Sequence, residues 1–374
     1  MKTILLISPY WQEEHRWMVS SVKMAELWQR LGHKVVVLCM GHGAKHEKVS
    51  ETLEIHRVPD LFIPDPWNYG IAFGFSGAAL RLARTLKPDV IVVNKVLFWS
   101  SIALLRLRMA GFKVLLITDA LVGITWWPRG MLGKVCGAIY GNTLGWLILK
   151  AATKIVFFHP QPEKVLQRLG IAGKSMVIPT GIDEKRFTTN RPEHSGVTAT
   201  YIGRLESVKG ADDFVAAGLK VKKEKPELEI QVVGWYPSTS SGQADHPLVT
   251  AHDREVRFTG LRKDVEDILS KSDIFVLASY SEGLSNALME AMSAGCACIA
   301  SDVGGNRYLI ENGVSGFLFP AGDREALASH IRRLLDDPVK RKQLGERARM
   351  RIEQMFSWEK VGKQYDALFS SWTI

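Results

Sequence analysis

The sequence predicts an α/β protein built from two doubly wound domains, each around a parallel sheet. Three observations carry that expectation: the length of 374 residues, a series of near-continuous β-branched apolar runs, and the regular alternation of those runs with helix-length amphipathic stretches. At roughly 100–200 residues per domain, the length suggests two. Strands covered by helices on both faces are apolar throughout rather than alternating, and these runs have that character. Alternation of β and α then implies parallel strands joined by crossover helices.

In the first half, strands are expected at 4–8, 35–40, 90–94, 114–118, 155–158 and 176–179. Helices are expected at 20–31, 71–86 and 163–169, and Lys87, Pro88 and Asp89 mark a turn before a strand. The second half repeats the plan, with strands at 198–202, 229–233, 256–259, 274–278, 297–301 and 316–319. Its helices are expected at 211–223, 265–271, 285–294 and 324–335. The polar stretch Thr188 to Ser195, with Pro192, is the expected break, giving a first domain over 1–190 and a second over 191–357. Ligands of such sheets bind beyond the carboxyl ends of the strands, so the site is expected in a deep cleft between the domains.

The bulk properties narrow the class. Hydrophobic residues at 46% and charged residues at 23% exclude wholesale disorder. The cysteines Cys39, Cys136, Cys296 and Cys298 form no C-x-x-C pair, and no Cys/His cluster has zinc spacing. Buried, reduced thiols of a cytosolic protein are expected. The apolar run after Lys2 gives way to Gln12, Glu13, Glu14, His15 and Arg16, which reads as a first strand rather than a signal peptide. The uncharged runs Pro66 to Leu80 and Val135 to Leu149 are 15 residues each, and no uncharged run is longer. A spanning helix needs about 18, so none is expected.

Charge is unevenly placed. The net charge is +9, yet residues 1–190 hold 24 Lys+Arg against 13 Asp+Glu and the remainder 24 against 26. The first half is therefore expected to meet an anionic partner. No RRM, KH or helix-turn-helix signal appears, so nucleic acid is not expected.

The chemistry concentrates in the second half. Tyr280 to Asn286 follows a strand and opens a helix, and Ser285 suits an N-cap. The first N–H groups of that helix lack intrahelical partners and carry the positive dipole end, which favours a phosphate. Gly283 allows close backbone approach. Glu290 stands on a helix that is apolar nearly all round, so it is expected to be buried and partnered. Ribose hydroxyls would satisfy it, and so would a structural hydrogen bond. Upstream, Ile202 to Gly210 ends a strand and carries Arg204 and Lys209, a planar fork and a point charge suited to a diphosphate, or else solvated surface cations. Neither glycine run is G-x-G-x-x-G or a P-loop.

Glu282 and Glu290, within EGLSNALMEAMSAG, resemble the paired-glutamate motif of family four of the retaining glycosyltransferases. That family has the GT-B architecture, two Rossmann-like domains facing a deep cleft. GRLESVKG resembles its diphosphate-binding segment, and the similarity extends to Pro179–Asp183 with Phe187, Val232–Gly234, Phe258–Gly260, Ser301–Gly305 and Phe356–Glu359. Residues 176–360 are covered closely and the first half in pattern only. The resemblance implies a hexosyltransferase-type enzyme using a nucleoside-diphosphate sugar, UDP or GDP type, with no cofactor and no metal; no Asp-x-Asp occurs.

By the same resemblance, Arg204 and Lys209 hold the diphosphate and stabilise the leaving nucleotide. Glu282 contacts hydroxyls of the transferred sugar, and the amides around Gly283, Leu284 and Ser285 touch sugar and phosphate. Glu290 binds the ribose and Arg262 the base, while Gly203 and Asn286 complete the donor-binding set. Retention proceeds by front-face displacement, the departing phosphate taking the acceptor proton. Two departures stand out. Thr118-Asp119-Ala120 stands where members often carry His, so Asp119 is a candidate to orient or deprotonate the acceptor, or else a turn residue. Pro9 to Glu13 replaces a glycine-rich loop. The segment Trp358 to Ile374 is expected to return to the first domain through Val361, Tyr365, Leu368 and Phe369.

Leu121 to Lys150 combines Trp126, Trp127 and Trp146 with Arg129, Lys134 and Lys150, and Arg81, Arg84, Arg106, Arg108 and Lys113 add cations nearby. Aromatics beside cations suit a membrane interface. A glycan or lipid-linked acceptor, and peripheral docking on the cytoplasmic face of an anionic membrane, are expected. The alternatives are a soluble acceptor, a sugar-nucleotide epimerase of the same architecture, or a non-catalytic sugar-nucleotide-binding partner. The paired glutamates argue against the second, and intact Arg204 and Lys209 against the third.

Overall fold

The computed structural model describes residues 1–12, 18–63, 69–127, 130–188, 196–234 and 246–372. Arg129, Pro192 and the run Glu13 to Arg16 lie outside the described residues. The chain divides into two compact units, Met1–Thr180 with Val361–Ile374, and Gly181–Lys360.

The first unit contains β1 (Thr3–Ile7), α1 (Val19–Arg30), β2 (Lys34–Gly41), β3 (Lys45–Ser50), β4 (Leu53–Pro59), β5 (Leu61–Ile63), β6 (Tyr69–Ile71), α2 (Phe75–Leu86), β7 (Val90–Asn94), α3 (Ala103–Met109), β8 (Leu115–Thr118), α4 (Gly130–Asn142), α5 (Leu144–Ala151), β9 (Lys154–Phe157), α6 (Glu163–Arg168) and β10 (Ser175–Val177). Its sheet runs β10-β9-β8-β7-β1-β2-β4-β3, parallel except for the β3–β4 pair. The central strands are apolar without alternation because both faces are covered; Leu5, Val36, Val93 and Leu116 are all buried.

The second unit contains β11 (Val197–Ile202), α7 (Ala211–Glu224), β12 (Leu228–Val233), α8 (Pro247–His252), β13 (Arg257–Phe258), α9 (Val265–Ser270), β14 (Ile274–Leu277), α10 (Asn286–Ser293), β15 (Ala297–Ser301), α11 (Asn306–Leu309), β16 (Phe317–Phe319), α12 (Arg324–Asp336) and α13 (Pro338–Arg351). Its parallel sheet runs β13-β12-β11-β14-β15-β16.

Three expectations are corrected. The helix expected from residue 71 starts at Phe75, because Tyr69–Ile71 pairs with β5 and Gly74 takes φ +83. The boundary falls at 180/181 rather than 190/191. Ile182 donates its N–H to Phe356 O at 2.8 Å and accepts from Trp358 N at 2.9 Å, while Arg349 binds the carbonyls of Glu184 and Phe187. Those bonds hold 181–188 in the second unit. Lastly, Cys136 is exposed on α4, whereas the other three cysteines are buried.

The last helix, α14 (Trp358–Ser370), packs on α1 through the part that belongs to the first unit. The Trp28 ring meets Tyr365 and Phe369 edge-on, each at 5.6 Å between centroids, and all three are buried. Gly362 lies under Leu27 and Leu31, where a Cβ would come within 3.1 Å of Leu31.

Candidate active site

The carboxyl edge of the second sheet is drawn tight by glycine. Gly203, following β11, donates its N–H to Val233 O at 2.9 Å, and Gly234, following β12, donates to Gly260 O at 2.9 Å. A Cβ on Gly234 would lie 1.7 Å from Gly203 O, so the two backbones meet with no room for a side chain. The chain then makes a tight turn at Ser207–Lys209 and enters α7 through Gly210. Backbone contact with the far side of the site follows: Tyr280 N–H donates to Val208 O at 2.8 Å.

That contact brings Lys209 to Glu282. Lys209 Nζ is 2.8 Å from Glu282 Oε1, and Ser279 Oγ donates to the same oxygen at 2.6 Å. The Glu282 side chain is 10% exposed and that of Lys209 23%, so the pair is mostly withdrawn from water and poorly screened. Ser285 caps α10, its Oγ accepting from Leu288 N at 3.3 Å. The other N–H groups of the first turn have no partner within the helix itself.

The loop 282–285 is held from behind. Gly305 N–H donates to Gly283 O at 3.0 Å. A Cβ on Gly304, at φ +44, would sit 1.8 Å from Glu282 O, and one on Gly305 2.2 Å from Gly283 O. Ahead of the loop, Tyr280 donates to Asp213 Oδ2 at 2.7 Å and Arg324 to Asp213 Oδ1 at 2.6 Å. The hydrogen bond to Asp213 raises the Tyr280 hydroxyl above its ordinary value. Asp213 is 3% exposed, and the sequence signal for it was a carboxylate on the buried face of an amphipathic helix.

The other expected donor residues are placed as follows. Arg204 pairs with Glu206 at 2.6 Å and is more than half exposed, so the two cations of the turn are held by different glutamates. Arg262 forks Asp264, Nε to Oδ1 at 2.8 Å and Nη2 to Oδ2 at 2.6 Å; that hydrogen bonding holds the Asp264 carboxyl below its ordinary value. Leu284 and Asn286 flank the capped helix start and are half-buried. Glu290 departs from the expectation of full burial. Leu288, Met289, Ala291 and Met292 are buried, but Asn286, Ala287 and Glu290 form a half-open stripe. One helix turn separates 286 from 290, so Glu290 stands on the same face as the helix start.

In the first unit, Asp119 follows β8 and lies 2.5 Å from Lys95 Nζ. Lys95 follows β7 with φ +74, a left-handed conformation uncommon for a non-glycine residue. Its N–H donates to Ile117 O at 2.7 Å, and its ammonium stands 5.5 Å from the Phe158 ring centroid. Burial alone would raise the Asp119 carboxyl, but the Lys95 ammonium, with help from His159, holds it below its ordinary value. Burial likewise pushes His159 down. Gln161 reaches Asp119 O at 3.4 Å and accepts from Thr125 Oγ1 at 2.8 Å. Sequence reasoning missed Lys95, His159 and Gln161. The available signal was a polar residue directly after an apolar strand, at the edge where such sheets bind ligands.

Two α/β units built on largely parallel sheets have the GT-B fold. Residues 19–186 match the model described as Glycosyltransferase Family 4, and residues 196–337 that described as Glycosyl transferases group 1. The chain belongs to family four of the glycosyltransferases. It is 26% identical over 310 residues to glycogen synthase of Mycobacterium tuberculosis, covering 79% of this chain and 73% of that one. It is 27% identical over 273 residues to the GDP-mannose-dependent monoacylated alpha-(1-6)-phosphatidylinositol monomannoside mannosyltransferase of Corynebacterium glutamicum, covering 64% and 70%. Among solved structures, sucrose-phosphate synthase from Thermosynechococcus elongatus has the same fold, with a TM-score of 0.78 at 22% identity over 99% of this chain and 98% of that one.

Proposed function

We propose that the enzyme transfers a hexose, with retention and without a metal, from a UDP- or GDP-sugar to a lipid-linked or membrane-associated glycan precursor. The observation that carries this reading is the Lys209–Glu282–Ser279 cluster beside the capped start of α10. Glu282 is a fixed acceptor for sugar hydroxyls. Lys209, Arg204 and the N–H groups after Gly283 meet the diphosphate, where negative charge grows as the bond from sugar C1 to phosphate oxygen breaks. The acceptor oxygen bonds C1 from the same face, and its proton passes to the departing phosphate. Those cations and the helix dipole supply the electrostatic stabilisation that a metal supplies elsewhere. Asp119, held ionised by Lys95, suits orienting an acceptor hydroxyl better than taking its proton. The GDP-mannose donor and phosphatidylinositol acceptor in the Corynebacterium relative's name support the donor and acceptor classes.

Nucleoside diphosphate release, measured with and without acceptor, tests the reading. Glu290→Gln is expected to weaken binding of the free nucleoside diphosphate, because Glu290 faces the helix-start stripe; Glu282→Gln should spare that binding and lower the sugar-dependent step. Equal loss of nucleotide affinity in both variants would contradict the division. EDTA should leave the initial rate unchanged, and a rate abolished by EDTA would remove the metal-free reading.

Membrane docking rests on α4, which is inverted in its packing. Its buried residues are Gly133, Gly137 and Gly141, and a Cβ on Gly141 would lie 2.1 Å from Val122 O. Glycine lets the helix backbone press inward and leaves Met131, Leu132, Val135 and Ile139 exposed, with Lys134 among them. Trp127 and Trp146 are also exposed, and Lys150 stands 6.0 Å from the Trp146 ring centroid. Arg108 is committed inside the fold, donating to Ala151 O and Phe112 O at 2.8 Å each, so it does not serve the surface. No described helix is long and apolar enough to cross a membrane, and an exposed apolar face that carries Lys134, with Lys150 beside Trp146, fits an interfacial seat on the cytoplasmic leaflet. Each cation near an anionic surface adds about 1 kcal/mol. Liposomes containing anionic lipid should co-sediment the protein at low salt, with partial release at high salt. Failure to bind at any salt would favour a soluble acceptor.

A further inference from the structure

The β3–β4 hairpin assembles a ligand set that linear spacing does not show. Antiparallel pairing sets His46 opposite His56 and Lys48 opposite Glu54. Residues opposite one another share a face, as do residues two apart on a strand, so His46, Glu54 and His56 project together. Lys45, Glu47 and Arg57 take the other face, where Glu47 pairs with both cations. The two imidazoles stack with centroids 4.2 Å apart, and His46 Nε2 is 3.9 Å from Glu54 Oε2. One ligand atom from each of the three lies within 4.8 Å of the others.

We propose that His46, Glu54 and His56 bind one zinc-class divalent transition-metal ion, which clasps the edge hairpin. Two imidazoles and one carboxylate are a zinc ligand set with a fourth position left for water. Two nitrogen ligands select against calcium and magnesium, which take oxygen. Bond lengths of about 2.0–2.2 Å demand ligand atoms roughly 3.3–3.6 Å apart in a tetrahedron. Side-chain rotation closes that gap, because His46 is more than half exposed. Glu54 is already oriented: Lys34 Nζ holds its Oε1 at 2.7 Å and leaves Oε2 toward the histidines, as outer-shell partners orient metal ligands elsewhere. An adjoining niche of about 540 Å³, walled by Ala78, Arg81 and Leu82 of α2, gives room for the water. The flanking cations Lys34 and Arg81 oppose a dication and weaken its binding. The ion would tie β3, the free edge of the sheet, to β4. The site is separate from the donor chemistry, so its test does not depend on activity.

The experiment is calorimetric titration of the full chain with zinc chloride, with thermal unfolding followed in parallel. One ion per chain is expected, together with a zinc-dependent rise in Tm. Loss of an outer-shell partner alone weakens metal binding about 10- to 100-fold, so His46→Ala and Glu54→Gln should each lower affinity at least ~10-fold and abolish the Tm shift. Both positions lie on the surface hairpin, and circular dichroism checks that the variants are folded. Absence of binding heat, or binding of unchanged affinity in both variants, overturns the site.

Discussion

Replacing Lys209 with alanine is expected to lower turnover at least ~100-fold, the usual consequence of removing one preorganised electrostatic stabiliser. The lysine stands 2.8 Å from Glu282, with the backbone of its turn fastened to the glutamate's loop through Val208 and Tyr280. The variant keeps the Ser279 hydroxyl on Glu282, so the loop retains one donor and the fold is expected to survive. The deficit should appear in kcat and kcat/KM together, the pattern of an interaction made only in the transition state. Single-turnover nucleoside diphosphate release measures it, with circular dichroism as the fold control. Wild-type turnover in a folded Lys209→Ala protein would remove the charge-stabilising role.

The second large effect is expected at Gly304→Ala, a position that touches no proposed substrate group. Its Cβ would fall 1.8 Å from Glu282 O, and its φ of +44 disfavours any side chain. The loop bearing Glu282 must then move. Misplacing a catalytic group by about 1 Å can lower the rate about 100-fold. Strain and overpacking together should also lower stability by about 1–3 kcal/mol. Urea unfolding and steady-state kinetics separate the two effects, because a loss of stability alone leaves the specific activity of the folded fraction intact. Full kcat in Gly304→Ala would show that the Glu282 loop does not depend on the 304–305 backbone.

The doubly buried strands were legible because hydrophobic continuity is a local property. Val90–Asn94 and Ala297–Ser301 fall where the sequence placed them. The β3–β4 hairpin was not, because KHEKVS and LEIHRVP are charge-rich edge segments without an apolar run. α13 was missed for the same reason, although Asp337 accepting from Lys340 N and Pro338 at its first turn are local start signals. α4 was hidden by glycines, which lower helix propensity and here serve packing. At the site, Arg204, Lys209, Glu282 and Glu290 were readable as a motif. The contacts around the candidate residues, Asp213 with Tyr280 ahead of the Glu282 loop and Lys95 with Asp119 in the first unit, join positions distant in sequence and become visible only after folding.

The return of α14 to α1 has a bearing on how the chain matures during synthesis. The second unit is one continuous stretch, Gly181–Lys360, and can close as soon as it leaves the ribosome. The first unit is discontinuous, and its Trp28 surface stays uncovered until Tyr365 and Phe369 emerge. The unit translated first is thus the unit finished last, and it carries exposed aromatic surface through the interval in which aggregation competes with folding. Closing a loop of that length adds only a slowly growing entropic penalty, so delay rather than stability is the consequence. A nascent chain stalled before residue 361 should therefore engage holding chaperones through α1, and release from them should coincide with the arrival of the last helix.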